Sequence, residues 1–68
     1  MIYINIYKAD DLPEEYNDKR SEKENEYTRY TTIKYNGKLT AFEIDNFEKD
    51  NIDTFYNKLS LLLKDITQ

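Results

Sequence analysis

The side chains of this chain with most capacity for chemistry are carboxylates, crowded into one stretch. Residues 9–26, "ADDLPEEYNDKRSEKENE", carry Asp10, Asp11, Glu14, Glu15, Asp18, Glu22, Glu24 and Glu26. Two such groups can form an acid–base pair when their surroundings push the pKa values apart, and several can hold Mg²⁺ or Ca²⁺. Neither use fits the pattern. An EF-hand loop needs a glycine for its sharp turn, and this stretch has none. A sheet with a single helix also offers little concave shelter in which to tune a carboxyl group. The chain has no histidine and no cysteine, so the commonest general base, the thiol nucleophile and the zinc-type ligands are all missing. Ser21 and Ser60 stand without a neighbouring base. The one glycine, Gly37, leaves no phosphate-cradling loop. The residues therefore predict neither an enzyme nor a cofactor. What remains for the carboxylates is a solvated, solubilising loop or a display of charge. Held along an extended element, they reproduce the spacing of nucleic-acid phosphates and suit a basic channel, with Lys19, Arg20 and Lys23 interrupting the negative run.

The elements that position these groups must come from 68 residues, of which 38% are hydrophobic, 35% charged and 15% aromatic. That is one small domain with one core, and the aromatic share argues against disorder. With disulfides and zinc excluded, self-association or binding to a larger protein is the remaining way to supplement so small a core. A net charge of −4 and an isoelectric point near 4.7 disfavour unspecific attraction to nucleic acid or anionic membrane. No run approaches the length of a transmembrane helix, and "MIYINIYKADD" does not read as a signal peptide, so a cytosolic protein is expected. Ile, Asn, Lys, Tyr, Phe and Met supply 33 residues while Gly, Ala, Arg and Pro supply 6, the skew of a very AT-rich gene.

Residues 2–7, "IYINIY", alternate with period two and predict a strand with Ile2, Ile4 and Ile6 on one face. Leu12 and Tyr16 are the only anchors of residues 9–26. With Pro13 in a first turn capped by Asp11, they predict at most one or two frayed turns, or a mobile loop. In "YTRYTTIKYNGKLTAFEID", residues 27–45, Asn36-Gly37 predicts a type I′ hairpin. An uninterrupted register from that turn opposes Tyr35 to Lys38, Ile33 to Thr40, Thr31 to Phe42 and Arg29 to Ile44. It assigns Ile33, Tyr35, Phe42 and Ile44 to the core face. Tyr30, Thr32, Lys34, Leu39, Ala41 and Glu43 fall on the other. Ile52, Phe55, Tyr56, Leu59, Leu62, Leu63 and Ile66 form a stripe at helical period and predict a helix over about 50–66, capped by Asp50 or by Asn46. The expected fold is α+β: a three-stranded antiparallel sheet, β-β-β-α, with the C-terminal amphipathic helix packed on its isoleucine face.

The opposite face then carries Tyr3, Tyr7, Tyr30, Lys34 and Leu39. Tyrosine is enriched in interface hot spots, and aromatics beside a lysine can also stack single-stranded bases. The negative charge favours a protein partner over nucleic acid. In size, charge and AT-rich composition the chain resembles the small acidic inhibitor proteins of phages and mobile elements of low-GC bacteria, anti-CRISPR proteins among them. The resemblance implies a host protein as target. The run "TAFEIDNFEKDNIDTFYNKLSLLLKDI" is similar in outline to the PC4-like single-strand-binding dimers, which implies a homodimer and DNA binding or remodelling. The expectation is a non-catalytic protein-binding module, contacting its partner or a second copy through the tyrosine face and the acidic stretch.

Overall fold

The computed structural model of the chain describes residues 1–46 and 52–67. Strands β1 (Ile2–Lys8), β2 (Thr28–Tyr35) and β3 (Lys38–Asn46) form one antiparallel sheet in the order β1-β2-β3, followed by helix α1 (Ile52–Thr67). This is the α+β arrangement that the periodicities predict. Asn36 and Gly37 both have positive φ, 52° and 81°, as a type I′ turn requires. A Cβ added at Gly37 would meet no atom within 4 Å, so glycine is needed there for its dihedral angles and not for space.

The register departs from expectation four residues past the turn. Tyr35 opposes Lys38 and Lys34 opposes Leu39, but Ile33 opposes Ala41. Thr40 is the extra residue of a β-bulge, and its hydroxyl donates to the Lys38 carbonyl at 3.2 Å. One inserted residue turns every later side chain to the other face. Thr31 therefore opposes Glu43, Thr32 opposes Phe42, and Tyr30 opposes Ile44. The assignment of Phe42 and Ile44 to the face of Ile33 and Tyr35 is corrected accordingly: they share a face with Tyr30, Thr32 and Lys34. Ala41 and Glu43 take their places beside Ile33.

Both faces are covered, by different means. Helix α1 lies on the isoleucine face, where Phe55, Leu59 and Leu62 meet Thr31 and Glu43. Lys58 bridges to Glu43 at 3.6 Å and to Asp45 at 3.3 Å. Phe55 is buried, Leu59, Leu62, Leu63 and Ile66 are half-buried, and Ile52 and Tyr56 are exposed, so the stripe meets the sheet over only part of its width. Ile33 is fully buried, whereas Ile4 and Ile6 on the outer strand remain 38% and 46% exposed. The opposite face is covered by residues 9–26, which form two 3-10 segments, Ala9–Asp11 and Glu14–Lys19. Leu12 and Tyr16 pack there on Tyr30, with Tyr7, Ala9, Phe42 and Ile44 around them. The two anchors suffice because they dock on an aromatic bed and are not asked to stabilise a lone helix. Asn46 ends β3 and accepts a hydrogen bond from the Thr28 hydroxyl, which removes it as the helix cap. The first candidate, Asp50, lies outside the described residues.

Two buried hydroxyls, Thr31 Oγ1 and Thr32 Oγ1, have no hydrogen-bond partner among the described residues. An unpaired buried hydroxyl costs stability that an apolar group of the same shape recovers. Thr32→Val should stabilise the fold by about 1 kcal/mol, raising Tm by about 4–8 °C in a domain of this size. A lowered Tm in thermal unfolding would show that the hydroxyl has a partner.

Candidate functional site

Sequence order would let residues 9–26 leave the sheet, and a set of hydrogen bonds ties them down. Tyr16 lies against Phe42 with ring centroids 5.3 Å apart, and Tyr30 against the same ring at 5.9 Å. The Tyr30 side chain is fully buried, which obliges its hydroxyl to find partners. It donates to the Glu24 carboxylate and accepts the Ser21 backbone N–H at 3.0 Å. Arg20 completes the attachment. Its Nη2 donates to the Ala9 carbonyl at 2.9 Å, its Nε to Asn17 Oδ1 at 3.2 Å and its Nη1 to Glu24 Oε2 at 2.6 Å. One guanidinium thus joins the start, middle and end of the segment, a use of the planar fork that lysine cannot reproduce. At the exit, the Tyr27 N–H donates to Asn25 Oδ1 at 2.7 Å and the Asn25 N–H to Thr28 Oγ1 at 2.8 Å, closing a side-chain turn onto β2.

The result is an ordered acidic strap across the sheet. Asp10, Asp11, Glu14, Glu15, Asp18, Glu22, Glu24 and Glu26 are exposed. Of the three cations that interrupt the run, Arg20 is spent on the internal bonds above. Lys19 sits over the Phe42 ring, 5.2 Å from its centroid, a cation–π contact that holds its charge against the sheet. Lys23 is exposed. Where the strap meets the ends of β1 and β2, an open groove of about 530 Å³ is lined by Lys8, Asp10, Glu24, Glu26 and Arg29. Its charges are mixed, and no group of three or more carboxylates fit to hold a metal ion occurs among the described residues. Glu24 is held below the usual carboxylate range, first by the Tyr30 hydrogen bond and then by Arg20. That is the opposite of what a general acid needs.

The residues singled out in the sequence are distributed unevenly. Tyr3, Tyr7, Tyr30, Lys34 and Leu39 do share a face, as Tyr3 pairs with Lys34, Tyr7 with Tyr30 and Lys34 with Leu39. The strap divides them. Tyr30 is the centre of the core cluster, fully buried and so not presented to a partner, while Tyr7 packs against it and stays half-buried on the outer strand. Tyr3, 57% exposed, and Leu39, 40% exposed, remain outside the strap, and Lys34 is half-buried. Arg20 and Lys19 interrupt the charge run in the sequence, yet in the fold the first holds the strap together and the second covers Phe42. One hint of this is local. Both cations lie one turn beyond Tyr16, the anchor that carries them to the sheet.

No helix among the described residues is long and apolar enough to cross a membrane. Comparison with protein-family models, curated proteins and solved structures gives no match for this chain.

The Tyr30 anchor predicts a pH window for the strap. Glu24 has a depressed pKa in the folded chain, so its contribution is present above the ordinary value of 4.5 and is lost as pH falls through the folded value. Tyr30 is raised, chiefly by burial, so its contribution is complete below the ordinary value of 10 and is lost as pH rises through the folded value. Tyr30→Phe removes both hydrogen bonds and should cost about 1–3 kcal/mol. Amide hydrogen exchange should accelerate in residues 9–26 while β2 stays protected. Uniform acceleration of strap and sheet would contradict the assignment of the Tyr30 hydroxyl to the strap. Leu12→Ala should act on the same segment, at about 2–5 kcal/mol.

Proposed function

We propose that the chain is a non-catalytic protein-binding module whose acidic strap docks on a basic surface of a larger protein. The observation that carries this reading is the division of labour within the strap. Its apolar anchors and two of its three cations face the sheet, while its carboxylates, apart from Glu24 on the Tyr30 hydroxyl, face solvent. Fixing those carboxylates on a folded support lowers the conformational entropy lost on docking, which a free acidic tail would pay in full. Dense negative charge steers association with positive surfaces and makes it salt-sensitive. The surface of matching chemistry is a channel that ordinarily holds nucleic-acid phosphates. On this reading the chain is a cytosolic inhibitor of a host nucleic-acid-handling protein, of the kind that phages and mobile elements with AT-rich genes carry. The lack of histidine and cysteine in the sequence supports binding over catalysis.

The test is capture of DNA-binding proteins from a low-GC bacterial lysate on the immobilised chain, followed by elution with duplex DNA. Release of the captured protein by DNA is expected. So is loss of capture by a strap variant combining Asp11→Asn, Glu14→Gln, Glu15→Gln and Asp18→Asn. Those positions are exposed, and the variant should keep the wild-type circular dichroism. Undiminished capture by the neutralised strap, or retention in the presence of excess DNA, would overturn the proposal.

A further inference from the structure

The two edges of the sheet are built differently. The β3 edge carries the Thr40 bulge together with Lys38, Glu43 and Asp45, the devices by which edge strands avoid pairing with other chains. The β1 edge has none of them before Lys8, its last residue. It pairs with β2 without irregularity over its full length, and residues 2–7 contain no charge, proline or glycine. Among the described residues no strand lies beyond it. Its isoleucines are the ones the helix leaves 38% and 46% exposed.

The order of residues along that edge names an occupant. Tyr3-Ile4-Asn5-Ile6-Tyr7 reads the same in both directions about Asn5. In an antiparallel pair of identical strands centred on a two-fold axis at Asn5, Ile4 meets the second copy's Ile6, Tyr3 meets its Tyr7, and Asn5 meets Asn5. All seven residues of β1 are then paired, which a register displaced by two residues does not allow. Within residues 3–7 like pairs with like on both faces, isoleucines on the helix side, tyrosines and asparagine amides on the strap side, and Ile2 meets Lys8 at each end of the seam. The like pairs are favourable cross-strand combinations. The strand adds no negative charge of its own to the seam; the acidic strap begins beyond its last residue, and of the strand's side chains Tyr7 packs against the strap's anchors.

We infer that β1 is a self-pairing edge, through which two copies of the chain join into one continuous six-stranded antiparallel sheet. This proposal stands apart from the docking of the strap, since it uses a different edge and survives if the strap has no basic partner. A single strand edge buries less than the roughly 800 Å² per partner of a standard interface, so the dimer is weak and concentration-dependent.

The chain lacks cysteine, which makes a single introduced thiol a clean probe. Directly opposed antiparallel residues have Cα atoms about 4.5–5.5 Å apart, within disulfide range. Asn5→Cys should oxidise to a covalent dimer about tenfold faster than the helix-surface control Asn57→Cys, because pairing raises the effective thiol concentration. Sedimentation equilibrium over about 10–500 μM should show the wild type moving from monomer to dimer. Ile4→Lys should remain monomeric with unchanged circular dichroism. A wild type that stays monomeric throughout, equal oxidation rates for the two cysteine variants, or open-ended fibres in place of a closed dimer would each overturn the proposal.

Discussion

Side chains alternate along a strand with a period of two, so one extra residue decides the face of every residue after it. In this chain the extra residue is Thr40. It turns Phe42 and Ile44 away from the helix and toward Tyr30, and the consequence is a sheet with an isoleucine face on one side and an aromatic bed on the other. A single amphipathic helix covers one. The other would be an exposed patch of Tyr30, Phe42, Ile44 and Tyr7 unless something lay across it. The charged segment between β1 and β2 does so by contributing only Leu12 and Tyr16 to the packing. Without the bulge, Phe42 and Ile44 would turn to the helix, and the strap would keep only Tyr30 and Tyr7 as its bed.

The polar half of that attachment is as specific as the apolar half. Tyr30 can be fully buried only because Glu24 and the Ser21 N–H satisfy its hydroxyl. Glu24 in turn is held ionised by Tyr30 and Arg20. Arg20 reaches back to Ala9, so the strap is fixed where it leaves β1 and where it approaches β2. A segment whose composition suggests a solvated loop thus becomes a rigid display of carboxylates. The separation is by atom type: rings and guanidinium inward, with Glu24 as their acceptor, and the other carboxylates outward.

Much of the fold was legible in the sequence. The alternation of residues 2–7, the Asn36-Gly37 pair and the helical stripe from Ile52 to Ile66 each have a local cause, and local causes can be read residue by residue. The bulge has no such signature in composition. Its trace is the spacing of Leu39 and Phe42, three apart where an even number is needed for a common face, and Leu39 is tied by the turn to the face of Lys34. The acidic segment defeated local reading for the opposite reason. Its two anchors are weak by themselves, and their value depends on residues that only the bulge brings together. The site followed the fold. The exposed carboxylates stand where the charge pattern puts them, whereas Tyr30, expected on the outer face, is enclosed because that face is not the outer one.

The central claim is that Phe42 belongs to the strap side of the sheet. Nuclear Overhauser contacts from the Phe42 ring protons test it directly. Cross-peaks are expected from Phe42 to the rings of Tyr16 and Tyr30, centroids of which lie at 5.3 Å and 5.9 Å, and none to Phe55 or Leu59. Cross-peaks from Phe42 to Phe55 and Leu59, with none to Tyr16, would contradict it.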